Sequence, residues 1–390
     1  GLWIVALGAS LVGDGQERYD PLARSLLAGH GFSRGAGPEC LHVPGYPAVL
    51  AGAYLAAGGP TRGLIALQMI LELATVSLIW AGAKTAYGKQ IARVAVGVAW
   101  LSIELSVFTR QALPALLAAF GTTLLCVLLV RAHAEPHWAM LSWAAAGLTS
   151  GLLALVRVDH YPLALAAPLV VAASASTPLA RRVRGIGVYL LAAIIPIGAW
   201  GVRQAVVCGS IGLPGWEQYT PVRAPFVSWL DTWLDDPRLI DAYGYRVLDA
   251  GAPTAFPVEA PLSLEERSRA SAALARAKEL QTLSDPYVAD TFTQLAATAR
   301  AERGLVTRSW IRVKRVALTW AWVPGLLPRG PRSVTKAAVY ASWWAVLCGG
   351  VVGTVLVVAR RNTYGILLSL VVLSRSAMPF VSAWGAVPYY

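Results

Sequence analysis

The sequence predicts an all-α protein, a polytopic transmembrane bundle of about nine helices with an outer loop region of short helices. Three observations carry this. Of 390 residues, 56% are hydrophobic and only 14% charged; a soluble domain carries about 25% charged residues to cover its water-facing surface. Apolar residues come in blocks such as 64–83, 112–130 and 335–358, each close to the roughly 20 residues a helix needs to cross hydrocarbon. Between the blocks, positive charge collects in alternate short loops.

Taken in order, the apolar segments are 1–12, 64–83, 92–108, 112–130, 138–156, 161–173, 186–201, 335–358 and 364–379. Segment 1–12 reads as the outer half of a first membrane helix, with no small-residue cleavage site after it, and the chain is expected to extend past both ends. Segment 161–173 is short and holds Pro162 and Pro168, which a membrane helix tolerates when neighbours satisfy the freed carbonyls. One set of connections carries Lys84, Lys89, Arg93, Arg131, Arg181, Arg182, Arg184, Arg360 and Arg361. The opposite set carries Arg110 and Arg157. The positive-inside rule makes the first set cytoplasmic, so the two long polar regions, 13–62 and 203–336, both lie outside.

That division gives a membrane core at 1–202 with its first outer loop at 13–62, a large outer region at 203–334, and C-terminal membrane helices at 335–390. Within the first loop, 46–57 is apolar but too short to span, and reads as an interfacial helix. The second outer region opens with aromatic, Pro-rich loops (214–233). It continues with an amphipathic helix started by a capping box, Ser263 with Glu266, and a basic, Trp-rich stretch at 309–322. Arg312, Lys314 and Arg315 there suit a helix lying on anionic headgroups. Trp numbers 15, as expected where indoles sit at the interface.

Several functions are excluded. The net charge of +12 does not signal nucleic acid, because no basic stretch is interleaved with base-stacking aromatics. No GxxxxGK[ST] or HExxH motif occurs, and no internal repeat. His30, His42 and His160 are on the outer side, but no spacing among them resembles a metal site, so no metal is assigned. Cys126 and Cys348 fall in membrane segments as packing residues. Cys40 and Cys208 both fall outside, where disulfides persist, and are expected to pair and tie the two outer regions together.

The chemistry-bearing residues gather on the outer side. Arg110, Arg157 and Arg203 stand at the outer ends of membrane segments, and Arg375 lies inside the last one. A single such arginine is often a snorkelling side chain. Several on a face poor in positive charge suit phosphate oxygens, which the guanidinium fork matches, and an ionisable group at membrane depth usually faces a cavity. Asp14 directly follows the first apolar segment, with Glu17 and Asp20 close behind; a carboxylate there suits a general base. Asp159, two residues past Arg157, either pairs with that arginine or joins the site.

Residues 14–32 read DGQERYDPLARSLLAGHGF and 42–55 read HVPGYPAVLAGAYL. Together they resemble the first outer loop of the GT-C membrane glycosyltransferases, in the branch of the protein O-mannosyltransferases and the lipid A aminoarabinose transferase (family 39 type). That loop has an acidic residue, a Tyr, an Ala-Arg-x-Leu turn, Gly-x-Gly-Phe and Pro-Gly-Tyr-Pro. Two later stretches are similar to the family in the right order: AAGLTSGLLALVRVDHYPLAL at 145–165, a Gly-rich helix ending in an arginine, and IPIGAWGVRQAVVCGSIGLPG at 195–215. The resemblance spans roughly residues 1–220. It implies a polyprenyl-phosphate-linked sugar as donor, a periplasmic or lumenal site, and an acidic residue in the first loop as base; the Ala-, Arg- and Gly-rich usage points to a bacterium, and so to the periplasmic face of its inner membrane. Asp14 matches that residue best, but its spacing to Tyr19 is one longer than usual, so Glu17 is a rival. Tyr19, His42 and Tyr46 fall in the loop signature as supporting residues. Arg203 matches an arginine that the family follows with Asn, whereas Gln204 stands here, and Ala199-Trp200 replaces the usual Pro-Trp. The implied reaction is an inverting displacement to an acceptor hydroxyl or amine on protein, lipid or glycan. Two other readings stay open: a degenerate homologue serving as scaffold subunit of a membrane complex, and a lipid transporter.

Overall fold

The computed structural model describes residues 14–34, 37–40, 42–101, 113–135, 137–161, 163, 178–209, 224–235, 239, 243, 247–248, 256–257, 260–280, 282–283 and 285–321. They fall into two compact units, one within 14–209 and one within 224–321. The apolar segments 1–12, 335–358 and 364–379 lie outside the described residues, as do all of 161–173 but its first residues and 102–108 of the segment at 92–108.

The first unit is a helical bundle preceded by two short helices, α1 (Asp14–Leu27) and α2 (Gly45–Ala57), with a two-residue antiparallel pair between them, β1 (Ser33–Arg34) and β2 (Gly37–Pro38). Then come α3 (Pro60–Tyr87), α4 (Lys89–Leu101), α5 (Ala115–Ala134), α6 (Ala139–Val156), a 3₁₀ turn (Val158–His160) and α7 (Leu179–Cys208). Among the described residues four helices are long and apolar enough to cross a membrane, α3, α5, α6 and α7. They match the apolar segments expected at 64–83, 112–130, 138–156 and 186–201. Large apolar side chains are exposed along them, among them Ile70, Leu191, Ile194, Ile195 and Val206, the reverse of a soluble bundle and the expected face toward lipid. The chain is a multi-pass membrane protein.

Small residues set how these helices pack. In α6, Gly147 and Gly151 lie so close to α7 that an added Cβ would strike the Tyr189 and Ala193 backbone, while Gly185 of α7 lies against the Trp143 indole. The three contacts share one register, so α6 and α7 run parallel, in the close approach that small residues four apart allow. Gly82 meets Val127, and the Gln68 amide donates to the Leu113 carbonyl at 3.3 Å, so α3 and α5 are parallel too. The short turn at Glu135 reverses the chain between α5 and α6, and Gly121 packs on Leu153. Consequently α3 and α5 begin at the end where α6 and α7 finish. The opposite end holds Lys84, Lys89, Arg93, Arg131, Arg181, Arg182 and Arg184.

Two sequence expectations change. Helix α7 does not stop near residue 201. No breaker intervenes until Gly209, whose left-handed backbone (φ 66°) caps it, so Arg203 and Cys208 belong to the helix. Residues 14–27, read as loop, form α1, with Pro21 inside it. Arg24 is exposed, but Tyr19, Leu22 and Ala23 are buried, which repays ordering the helix.

The second unit contains α8 (Ala224–Leu230), α9 (Leu264–Glu279), α10 (Pro286–Glu302) and α11 (Leu305–Ala321), the first three enclosing an aromatic core of Phe226, Trp229, Trp233, Tyr243, Phe256 and Phe292. Ser263 caps α9, accepting from the Glu266 amide at 3.1 Å. The Glu266 carboxylate, however, turns inward instead of completing the capping box. It accepts from Trp229 Nε1 at 2.7 Å and pairs with Arg303 at 2.6 Å, and Arg303 also donates to Thr232 and the Pro261 carbonyl. Asp285 caps α10 through the Val288 amide and receives the Arg276 fork. That fork holds its carboxyl below the usual range.

Two of the cations expected on headgroups are committed to protein oxygens, one of them buried and the other at the surface. Arg315 is fully buried, donating to the Leu234 carbonyl and to Asp231, and Lys314 bonds Asp235 at 2.7 Å. A buried guanidinium must keep its partners, and these are protein oxygens.

Candidate functional site

The end of the first unit away from its basic cluster is built from α1, α2 and the turn between them. On α1, Tyr19 is buried edge-on against Tyr46 (ring centroids 5.2 Å apart) and His42 (6.1 Å). One position on, Asp20 accepts from the Tyr54 hydroxyl at 2.9 Å and from Arg24 Nε at 2.7 Å. Burial, then the Asp20 carboxylate, pushes the Tyr54 phenol well above its usual range, so Tyr54 stays a donor. Tyr46 is fully buried and its hydroxyl lies 3.4 Å from the buried Gln68 amide.

The Gly-x-Gly-Phe and Pro-Gly-Tyr-Pro stretches have separate physical reasons. Gly29 and Gly31 both take the left-handed backbone (φ 75° and 70°), open to glycine at little cost, and their turn brings Phe32 back toward the bundle. Gly45 lies against the C-terminal end of α6, where an added Cβ would stand 2.6 Å from the Leu155 carbonyl oxygen. Val156 belongs to the same hydrophobic cluster as Tyr19, Tyr46 and Tyr54. Arg157 follows it directly, half-buried at the α6 C-cap. His160 is buried with Nε2 3.3 Å from Thr122 Oγ1.

Helix α7 holds the same loop from the other side. Cys208 is bonded to Cys40, as the sequence led us to expect. Arg203 donates to the Glu39 carbonyl at 2.7 Å, the Phe32 carbonyl at 3.1 Å and the Gln204 side chain at 2.8 Å. Its guanidinium sits 4.8 Å from the Trp200 ring centroid, against which Phe32 also packs edge-on. The Gln204 amide donates to the Cys40 carbonyl at 2.8 Å, so glutamine at this position has a task of its own.

The structure therefore brings Tyr19, His42, Tyr46, Arg157 and Arg203 to one end of the bundle. Asp14 and Glu17 occupy the first turn of α1, the helix that carries Tyr19; their side chains, and that of Asp159 in the 3₁₀ turn, lie outside the described residues. So do Arg110 and Arg375. Arg203, expected to face phosphate, instead commits hydrogens of both terminal nitrogens to loop carbonyls and a neighbouring amide.

Sequence reasoning missed Glu39. It is 6% exposed, its carboxylate accepts from the His42 amide at 3.2 Å, and His42 Nδ1 lies 3.2 Å away. Its position beside Cys40 and three residues before His42 was the available signal. Among the described residues no three His, Cys, Asp or Glu side chains gather as metal ligands would.

The fold and this end define a multi-pass membrane protein with a covered, disulfide-tied loop at one face. No protein-family profile matches the chain, and no curated protein matches it. Among solved structures, it is similar to ArnT from Cupriavidus metallidurans bound to undecaprenyl phosphate (TM-score 0.44, 14% identity, 98% of this chain and 76% of that one). The apo state of the same protein gives 0.45 at 15% identity, over 99% and 75%. The Archaeoglobus fulgidus oligosaccharyltransferase tethered to an acceptor peptide gives 0.29 at 11% identity, over 85% of this chain and 47% of that one. Scores and identities this low transfer neither residues nor activity to this chain.

Proposed function

We propose that the protein is a membrane glycosyltransferase that moves a sugar from a polyprenyl-phosphate donor to an acceptor on the outer face of a bacterial inner membrane. One observation carries the reading: the loop bearing Asp14 and Glu17 is fastened to the bundle end where α6 finishes at Arg157 and α7 presents Arg203. That loop also carries the sequence resemblance. Two facts support an extracytoplasmic site. Lys84, Lys89, Arg93 and Arg131 in the short connections, with Arg181, Arg182 and Arg184 at the start of α7, cluster at the opposite end, as in cytoplasmic loops, and the Cys40–Cys208 bond suits an oxidising compartment.

In the reaction, an acceptor hydroxyl or amine gives its proton to Asp14, or to Glu17, as it attacks the anomeric carbon. The bond from that carbon to the phosphate oxygen breaks with inversion, and polyprenyl phosphate departs with the electron pair. Arg157, with Arg110 and Arg375, steadies the charge growing on the phosphate. Arg203 acts through the loop it holds.

The test is transfer and donor binding measured separately in lipid nanodiscs, with polyprenyl-phosphate sugars as donors. Asp14→Asn is expected to abolish transfer and leave binding intact. Full transfer in both Asp14→Asn and Glu17→Gln ends the general-base assignment. The occupation of Arg203 by loop carbonyls favours a second reading, a non-catalytic scaffold; binding without transfer across sugars and acceptors in the unaltered protein would select it.

A further inference from the structure

Helix α7 holds the first loop through three links. The Gln204 amide donates to the Cys40 carbonyl, Arg203 donates to the Phe32 and Glu39 carbonyls, and Cys208 is bonded to Cys40. The two sulfurs of that bond have different surroundings. Arg203 Nη1 donates to Cys208 Sγ at 3.3 Å, whereas Cys40 Sγ faces the Pro38 carbonyl oxygen at 3.7 Å. Nη1 carries two hydrogens and has three acceptors, the Glu39 carbonyl, Gln204 Oε1 and Cys208 Sγ, so a gain at one is a loss at another. Both cysteines are half-buried, open to small thiols and disulfides.

We propose that the Cys40–Cys208 bond is a redox latch for the first loop, with the Arg203 guanidinium responding to its state. With the bond open, Cys208 holds a thiolate against a full positive charge, while Cys40, beside a carbonyl oxygen, keeps its proton. Two groups oppose charge on Cys208: Gln204 Oε1 at 3.0 Å, and the end of α7, equivalent to roughly half an elementary charge. Both are dipoles, and the guanidinium is a whole charge in contact with the sulfur. A hydrogen bond to an ion is about twice as strong as one to a neutral oxygen. The thiolate therefore draws Nη1 from the Glu39 carbonyl and loosens the loop; closing the bond removes that charge and returns the hydrogen. In the closing step the Cys208 thiolate attacks a small-molecule or protein disulfide and expels one thiolate. Cys40 Sγ then attacks Cys208 Sγ and expels the second, which takes up the Cys40 proton. The cysteine pair loses two electrons and the oxidant gains them. Oxidation thus fastens the loop that bears Asp14 and Glu17. The inference does not depend on the transfer reaction.

The test uses the full chain in nanodiscs, with Cys126 and Cys348 replaced by Ala. Cys40→Ala and Cys208→Ala both lack the bond, but only the first keeps a thiolate beside Arg203. Glutathione disulfide is expected to modify Cys208 in Cys40→Ala about tenfold faster than Cys40 in Cys208→Ala. Amides of residues 28–42 should exchange several-fold faster in Cys40→Ala than in Cys208→Ala. With both cysteines present, reduction by dithiothreitol should quicken the same exchange, and reoxidation should restore it, which a misfolded variant would not do. Equal or reversed modification rates overturn the assignment of the thiolate to Cys208. Equal or reversed exchange in the two variants overturns the latch, as does exchange in the two-cysteine protein that reduction leaves unchanged.

Discussion

Gly45 has protein backbone where a side chain would otherwise stand. An alanine Cβ would lie 2.6 Å from the Leu155 carbonyl oxygen and 2.8 Å from its carbon, and neither atom is the free end of a flexible side chain. Gly45→Ala is therefore expected to cost about 1–3 kcal/mol as overpacking and to shift Arg157, whose position follows from Val156. Thermal unfolding in detergent would register the loss as a lower midpoint, and an unchanged midpoint would refute the close approach. At this scale, what the sequence disclosed depended on contrast. Cys40 and Cys208 stood out because the other two cysteines fell in apolar segments. Gln68 and Glu39 did not, because neither a lone amide in a span nor a loop carboxylate names its partner. Gln68 joins Tyr46 to Leu113 across sequence distances that no local pattern reports.

Among elements, the second unit rests on a short polar network inside an aromatic core. Glu266 and Arg303 are both nearly enclosed (9% and 12% side-chain exposure), and the carboxylate also serves the Trp229 indole. Removing one partner of such a pair leaves the other charge stranded and costs about 3–5 kcal/mol. In Glu266→Ala, amide exchange across α9 and α10 should quicken by roughly a hundredfold or more, with a smaller change in Glu266→Gln, which can still accept from the indole. Equal exchange in all three proteins would contradict the network's role. The sequence announced Ser263 and Glu266 as a capping box, and half of it formed; the carboxylate found a better-enclosed partner 37 residues away. Spanning helices were legible for a simpler reason, since hydrocarbon demands length and apolarity whatever the tertiary contacts. Helix α1 was hidden because its stability comes from Tyr19 and Ala23 packing on Tyr46 and its neighbours, which no short window reveals.

At the scale of the bundle, the one-sided charge of its short connections makes a directional claim. A fluorescent protein fused after Ala134 is expected to glow in the cytoplasm, and one fused after Gly209 to stay dark when exported unfolded. The reverse pattern would turn the molecule over and take the proposed site with it. That asymmetry could be read from the loops alone. The pairing of α6 with α7 could not, because Gly147 and Gly151 advertise a close neighbour without saying which helix it is. Their shared step along Tyr189 and Ala193 has a mechanical sequel. The two rods are meshed like gears, so relief from a bulky residue at position 151 would require prising them apart or slipping a full tooth, about 5.4 Å of travel. Either motion would pull the Arg203 guanidinium off the Phe32 and Glu39 carbonyls and put the Cys40–Cys208 tie under tension. A substitution within the packed seam of α6 and α7 would thereby disable the site end of the bundle without touching it.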